Sequence, residues 1–371
     1  MTFLDVQNQV VNMSLVQSQT ALVQFSIQWA INRISQYFEW PYYMQNQVIT
    51  TTAPYSTGTV AVTNGSATVT GTNTVWTSAM VGRKIQIGGD NAYYYVLTVN
   101  STTSITLAVP YQGTTQSGST YNIYKDEYKL SPDVQAYKTI VQIQNSLAMN
   151  GMPPTKFDKI FPTQTSFSSP YIEVMEGTKL DTYVTGTVST TINSGTITGV
   201  GTSWSSVEGL GRMTDIIIAS NRYTVKSVNS DTSITTYENA LGTVSASSYT
   251  LNLRNIKVQV FPIPNDQENL YYRYFRMPDI LVNSYDVPDL PQDWHWIIVW
   301  GALSWIYLQK GDIEKAYTQA EARFLEGLQN MKKKIGNHAA DRIYRRNSQD
   351  RGNVFFDGLE KGSFDRRYSS P

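Results

Sequence analysis

The chain has 371 residues, 29 Lys+Arg against 29 Asp+Glu, and no Cys. The length allows a large core in more than one domain. Zero net charge excludes a general pull toward nucleic acid or anionic membrane. The lack of Cys excludes disulfides, thiolate catalysis and zinc–thiolate sites, and fits a cytosolic origin or a particle that must survive any redox environment. Charged residues are only 16% and aromatics 12%, with 25 Tyr. Two readings stand: surface hidden against partners, since interfaces favour aromatics over Lys and Glu, or a large β-rich protein with ordinary strand Tyr.

From the start, Asp5, Gln7, Asn8 and Gln9 follow Phe3 with no basic segment before an apolar one, so no signal peptide is expected. Leu15, Val16, Leu22, Val23, Phe25, Ile27, Ala30, Ile31 and Ile34 recur near helical spacing. Ser18 or Thr20 would cap a second helix, and Pro41 after "YFEW" should end it. The next stretch alternates Thr, Val and Tyr between Asn-Gly and Gly-Gly punctuation, which predicts short strands and tight turns.

"VNSTTSIT" from Val99 returns as "VNSDTSIT" from Val228. Around it, Gly58, Thr68, Thr70, Gly71 and Trp76 match Gly186, Thr196, Thr198, Gly199 and Trp204. Gly82-Arg83 matches Gly211-Arg212, Gly113 matches Gly242, and Tyr121 matches Tyr249. The two regions read as one duplicated β-domain. Between them, 125–185 would hold strands and a short helix near Lys156 to Ile160. After them, "IKVQVFPIP" and "LYYRYFRMP" read as two strands joined by a turn at Pro264-Asn265-Asp266.

"LPQDWHWIIVWGALSWIYLQKGDIEKAYTQAEARFLEGLQNMKKK" carries the strongest helical signal. Pro291 and Asp293 suit a helix start, and Gly311-Asp312 breaks or bends it. Ile313, Ala316, Ala320, Phe324, Leu328 and Met331 share one face. The apolar run Trp296 to Leu308 is shorter than the roughly 20 residues a bilayer span needs, so it predicts a buried helix and no membrane partner. Leu290, Trp294, Ile297, Ile298 and Leu303 would pack on the N-terminal helix. From Gly336 onward, Gly, Asn, Asp and Arg dominate with isolated aromatics. This tail is either disordered or an arm that folds against something else.

The order "WAINRISQYFEWPYY", a Thr-rich β region, "FPIP...YYRYFRMP", "VPDLPQDWHWIIVWGAL" and "GDIEKAYTQAEARFLEGLQNM" resembles the head-to-tail adaptor (connector) proteins of tailed bacteriophages, especially short-tailed phages. The resemblance covers roughly residues 1–57, 125–183 and 253–335. It implies a virion structural protein of the neck and tail, made in the bacterial host cytoplasm. Its subunits would form a homo-oligomeric ring, usually a dodecamer, below the portal protein. Helices would build the ring wall, and DNA would pass through the channel without sequence-specific binding. The lower face would receive the tail nozzle, hub or fibre proteins, and a C-terminal arm would climb onto the portal. The expected fold is α+β: a helical bundle frame with two duplicated small all-β insertion domains and an extended C-terminal arm. The expected segments are 1–57 (helical frame), 58–124 (first β-domain), 125–185 (frame connection), 186–252 (second β-domain), 253–335 (frame strands and C-terminal helices) and 336–371 (arm).

Catalytic chemistry finds little support. The chain has two His, His295 and His338. The first sits at a helix start among aromatics and the second in the arm, which argues against a His triad or multi-His metal site. No cofactor is expected. "GVGTSW" at Gly199 begins like a phosphate loop, but its duplicate reads "GTNTVW" and a β-turn is the better reading. The pairs Glu173/Glu176 and Asp286/Asp289 would serve glycoside hydrolysis only at a suitable separation; a solvated loop face is the simpler reading. Trp76, Tyr93, Tyr94 and Tyr95 would either stack on sugars or fill small β cores. A tail-associated carbohydrate-binding or cell-wall-degrading protein is therefore the alternative function. In the arm, interleaved Asp341, Asp350, Asp357 and Asp365 weaken a phosphate footprint. Arg342, Tyr344, Arg345, Arg346, Arg351, Phe355, Phe356, Phe364, Arg366, Arg367 and Tyr368 fit anchors for docking to the portal.

Overall fold

The structure is a computed structural model that describes residues 1–14, 20–88, 90–142, 147–311 and 316–349. It divides into two compact units, Met1–Glu39 with Asn283–Pro371, and Trp40–Val282.

The first unit is helical. Its elements are α1 (Phe3–Ser14), α2 (Thr20–Tyr37), α4 (His295–Lys310) and α5 (Thr318–Gln349). A further short helix, α3 (Pro154–Ile160), belongs to the second unit. Helix α4 is apolar nearly all round, and Ile297, Ile298, Ala302, Leu303 and Ile306 are all buried, as expected of a central helix. Val6 and Val10 of α1, Ile27 and Ile31 of α2, and Ala320, Phe324, Leu328 and Met331 of α5 complete the buried set. Gly301 explains how tightly α2 and α5 approach α4. A Cβ there would lie 2.7 Å from the Phe324 ring and 2.8 Å from the Ala30 methyl. Arg33 of α2 forks onto Glu321 of α5, with Nη1 2.8 Å from Oε2 and its guanidinium 4.9 Å from the Phe324 ring. Gly311 ends α4 in the left-handed region, φ +74°, and its N–H donates to Leu308 O. Ser18 and Ile313 lie outside the described residues.

The second unit is sheet. Met44–Thr50, Asn269–Arg276, Val134–Gln142 and Leu147–Ala148 form a four-stranded antiparallel sheet in that order. It packs on strands Glu127–Lys129 and Tyr249–Phe261. Ile49, Ile140, Leu270, Tyr272 and Tyr274 face Tyr128, Leu130, Val258 and Val260 in one core. Tyr249–Phe261 also pairs along its length with Ile172–Tyr183. The two strands read in "IKVQVFPIP" and "LYYRYFRMP" are present, yet they lie in different sheets.

The expected helical bundle frame is overturned. The chain is 39% strand and 26% helix, and its middle is built from large multi-stranded sheets. The reason is visible in "NLYYRYFR", where Leu270, Tyr272 and Tyr274 are buried and alternate with exposed Tyr271 and Arg273. A period of two makes a half-buried strand, not a helix. Within 336–371, the segment expected as the arm, α5 continues to Gln349, and 350–371 lie outside the described residues.

The two repeats fold alike. In the first, the strand order is Gln116–Ser119, Thr59–Val62, Thr68–Thr72, Ser104–Leu107, Tyr93–Ser101, Lys84–Ile87, Tyr121–Tyr124. The second runs through Val244–Ser247, Thr187–Thr190, Thr196–Val200, Ser233–Thr236, Asn221–Ser230, Asp215–Ile218 and Tyr249–Phe261 in the same order. The strands at the two ends of the first order are separated in sequence by Thr120 alone, and those of the second by Ser248 alone. A sheet curled on itself satisfies that, so each repeat is a small barrel-like sheet, with no ladder between its two end strands among the described residues. Replacing Gly301 by Ala should destabilise the chain by about 1–3 kcal/mol, read as a lower midpoint in denaturant unfolding; an unchanged midpoint would show that the Ala30–Phe324 approach is loose.

Candidate functional site: the charged cleft beneath the barrels

Within each barrel a buried Trp is satisfied in the same way. Trp76 Nε1–H donates to Tyr121 Oη at 3.0 Å, and Tyr121 O–H donates to Thr57 O at 2.6 Å. Trp204, Tyr249 and Thr185 repeat this at 3.0 and 2.7 Å. The recurring hairpin receives the chain before the Trp: Thr74 Oγ1 donates to Thr102 O, and Thr202 Oγ1 to Asp231 O. Gly71 and Gly199 are required beside it, since a Cβ at either would lie 2.8 Å from the Trp ring. Trp76 and Tyr94 therefore fill core rather than stack on a ligand. Tyr93 is exposed, edge-on to Tyr95 with centroids 5.8 Å apart.

Below the first barrel lies a cavity of about 320 Å³ lined by charges. Lys84 opens the strand Lys84–Ile87 and is buried, with Nζ 2.9 Å from Asp126 Oδ2 and 2.9 Å from Glu127 Oε1. Lys257 Nζ donates to Glu127 Oε2 at 2.9 Å, Tyr95 O–H to Glu127 Oε1 at 2.8 Å, and Gln259 Nε2 to Asp126 Oδ2 at 2.9 Å. Burial opposes charge on Lys84, yet the two carboxylates outweigh it and hold the ammonium above its ordinary range. Burial likewise opposes charge on Glu127, but Lys84, Lys257 and Tyr95 hold its carboxyl down to about 2. Around the rim, Lys129 Nζ lies 2.6 Å from Asp181 Oδ2 and Lys125 Nζ 2.5 Å from Glu208 Oε2. Every carboxylate lining the cavity thus faces an ammonium. Glu127, held down in this way, is a poor proton donor. The cleft works as a clamp between the first barrel and the sheet beneath it.

The second barrel is held differently. Arg212 Nε donates to Asp133 Oδ2 at 2.9 Å and Nη1 to Tyr237 Oη at 2.9 Å, and its guanidinium also reaches Asp279 and Met277 O. Among the described residues, the side chain of Arg83, its match in the first copy, donates to Ala79 O alone. No sequence signal marked Lys84, and Arg212 was marked only as the repeat counterpart of Arg83; the anchoring roles of both emerge from the folded packing.

The Glu173 and Glu176 carboxyls sit in unlike surroundings. Glu173 is 4% exposed and its Oε2 has no partner, whereas Glu176 is exposed and 3.6 Å from Lys257 Nζ. Asp286 Oδ2 accepts from Asn283 N–H at 2.8 Å, closing a turn. His295 is buried at the start of α4 with Nε2 2.7 Å from Leu290 O, and burial lowers its pKa. The described residues contain no cluster of three or more His, Cys, Asp or Glu placed to hold a metal. They also contain no helix long and apolar enough to cross a membrane. Of the docking residues expected in the arm, Arg342, Tyr344, Arg345 and Arg346 belong to the continuation of α5. Arg351, Phe355, Phe356, Phe364, Arg366, Arg367 and Tyr368 lie outside the described residues.

Residues 178–351 match the family model of the SU10 adaptor protein. The match runs from the ribbon that carries the second barrel, through that barrel and the last sheet strands, to the end of α5. It supports a phage adaptor-type protein with a structural role in the virion. No curated protein matches the chain. A solved structure, "Phage phi92 endosialidase", aligns at 11% identity over 62% of this chain and 53% of that one, with a TM-score of 0.14. The chain therefore spans about half of that protein, and an overlap this poor carries no argument about fold or activity.

Two outcomes follow from the buried charges. Lys84→Met leaves the buried Asp126 and the half-buried Glu127 with too little positive charge, and should cost about 3 kcal/mol in urea unfolding; a loss no larger than for an exposed lysine would show that the clamp is dispensable. Glu173 is pushed up by burial from 4.5 to about 7. A carboxyl that ionises later in the folded than in the unfolded chain stabilises fully below the unfolded value. That stability is lost as pH rises from about 4.5 to 7 and the loss is complete above it, about 2–3 kcal/mol in all. Urea unfolding at pH 4.5 and 7.5 should show this fall for the natural chain and its absence in Glu173→Gln; equal slopes would place Glu173 in contact with water.

Proposed function

We propose that the protein is a head-to-tail adaptor of a tailed phage of the short-tailed type, assembled as a dodecameric ring between portal and tail. The observation that carries this is the match of residues 178–351 to an adaptor family, supported by the order of motifs that frames the two β repeats. The ring leaves a channel through which DNA passes without base-specific contacts. The two barrels, 58–124 and 186–252, act as rigid insertions that meet tail nozzle, hub or fibre proteins. The arm docks on the portal, with Arg342, Arg345, Arg346, Arg351, Arg366 and Arg367 supplying charge-assisted hydrogen bonds and Tyr344, Phe355, Phe356, Phe364 and Tyr368 the apolar anchors.

The test is reconstitution of the full chain with a purified portal ring, followed by electron microscopy and native mass spectrometry. The expected result is a closed ring of copies seated on the portal. Deleting 350–371 leaves α5 whole and should weaken attachment by at least about tenfold in Kd. A monomer that ignores the portal and clears peptidoglycan in a turbidity assay would replace this reading with that of a wall-degrading tail protein.

A further inference from the structure

The charged cavity beneath the first barrel contains one cation that its own carboxylates do not serve. Six cationic side chains and four carboxylates line it, and Glu176, 3.6 Å from Lys257 Nζ, adds a fifth carboxylate. One positive charge is left over, and the distances show which. Lys84, Lys125, Lys129 and Lys257 each have a carboxylate oxygen within 2.9 Å. Lys179 Nζ lies 3.7 Å from Asp181 Oδ2. Arg83 alone of the six makes no ion pair among the described residues.

Glu208 is the carboxylate whose field reaches Arg83, and both its oxygens are taken. Oε2 lies against Lys125 Nζ, and Oε1 accepts the Lys129 N–H at 3.2 Å. The Arg83 side chain is half-buried, and burial pulls its pKa below the ordinary value against the attraction of Glu208. A covered guanidinium is normally paired, because losing water without gaining a partner is costly. Nε donates to Ala79 O at 3.1 Å, which ties one corner of the group. Among the described residues Nη1 and Nη2 have no acceptor. There is also room beside them: a Cβ on Gly82, which lines the same cavity, would meet nothing within 4 Å.

We propose that this cavity is an oxyanion site anchored by Arg83, taking a small carboxylate or phosphate. Two oxygens of the anion accept from Nη1 and Nη2 in the forked geometry that arginine offers and lysine does not. A volume of about 320 Å³ admits such an anion with part of its hydration. The ammonium groups keep their own carboxylates, so the anion is held by the fork and by one net charge. Binding here does not depend on ring assembly, and a failed portal reconstitution leaves it standing.

The test uses the full chain and the arginine reagent phenylglyoxal, with modification at each arginine followed by peptide mass spectrometry. Sodium acetate and sodium phosphate are compared with sodium chloride at one pH and one ionic strength, which holds screening constant. Saturating acetate or phosphate should slow modification of Arg83 at least about tenfold relative to chloride. The exposed Arg222 should keep its chloride rate. Whichever anion protects at the lower concentration names the ligand class, carboxylate or phosphate. Calorimetric titration with that anion should show Kd rising at least about tenfold in Arg83→Gln. Arg83→Lys, which keeps the charge and loses the fork, should lose as much. Both variants should melt as the natural chain does in chloride, since the side chain donates only to Ala79 O among the described residues. The protection assay needs no variant, so it decides even where a variant unfolds. Equal protection by chloride, equal protection of Arg83 and Arg222, or no protection by either anion would overturn the proposal. So would undiminished binding by a folded variant.

Discussion

The strand Tyr249–Phe261 belongs to two cores at once, and the second unit depends on it. Tyr249, Leu251 and Leu253 point into the second barrel. Val258 and Val260 point into the sheet sandwich. The first set is odd-numbered and the second even-numbered, so the strand presents opposite faces to its two cores. Asn255 stands at the change, buried, with Nδ2 donating to Leu130 O and Gly209 O at 2.9 Å each. Beyond it the odd face carries Lys257 and Gln259, which enter the charged cleft. A slip of one residue would send Lys257 into the sandwich core and Val258 into the cleft. One strand register thus fixes the second barrel, the sandwich and the clamp together.

The duplicated barrels share their internal wiring and differ in their attachment. Both use a Trp–Tyr–carbonyl relay, a glycine beneath the Trp ring, and an Asn–Thr bond across the hairpin, from Asn100 to Thr106 and from Asn229 to Thr235. These groups satisfy polar atoms inside or beside a core of limited size, where an unmet donor costs more than a bond gains. The anchors are not shared. The first barrel is clamped through Lys84 to Asp126 and Glu127, the second through Arg212 to Asp133 and Asp279. A lysine suits the first site because one ammonium can contact two carboxylates from adjacent residues. Arginine suits the second because its fork reaches two carboxylates, a hydroxyl and a carbonyl in different directions.

What could be read from the sequence was local. The repeat, its hairpins, the helix near Pro154–Ile160 and the buried face of α5 all follow from spacing within a few residues. The sheet frame did not follow, because its pairings join distant segments: Met44 meets Phe275, and Val134 meets Arg276. Period two in "NLYYRYFR" announces a strand and says nothing about its neighbours. The long apolar helix is the strongest local signal in the chain and overshadows several short alternating runs. Glu173 escapes a local reading for a related reason. In "YIEVMEG" it resembles a solvated loop acid, yet it lies in the paired strand Ile172–Tyr183 and its neighbours Ile172 and Val174 are buried as well.

The scarcity of charge takes on a different meaning once the charges are placed. Lys84, Asp126, Asp133 and Glu173 are all buried, and Glu127, Arg33, Arg212 and Lys257 are partly covered. The segment 58–124 contains only Arg83, Lys84 and Asp90 as charged residues, and Lys84 is spent on the clamp. Its outer surface is therefore Thr, Ser, Asn and Gln with exposed Val75, Leu97 and Val109. Such a surface offers little long-range steering and little repulsion toward a like copy, because both effects need net charge. On such a surface, shape and short-range hydrogen bonds outweigh the field. Neutral walls held by internal ion pairs suit contacts that are made once during assembly and kept, which is the physical demand of a virion adaptor.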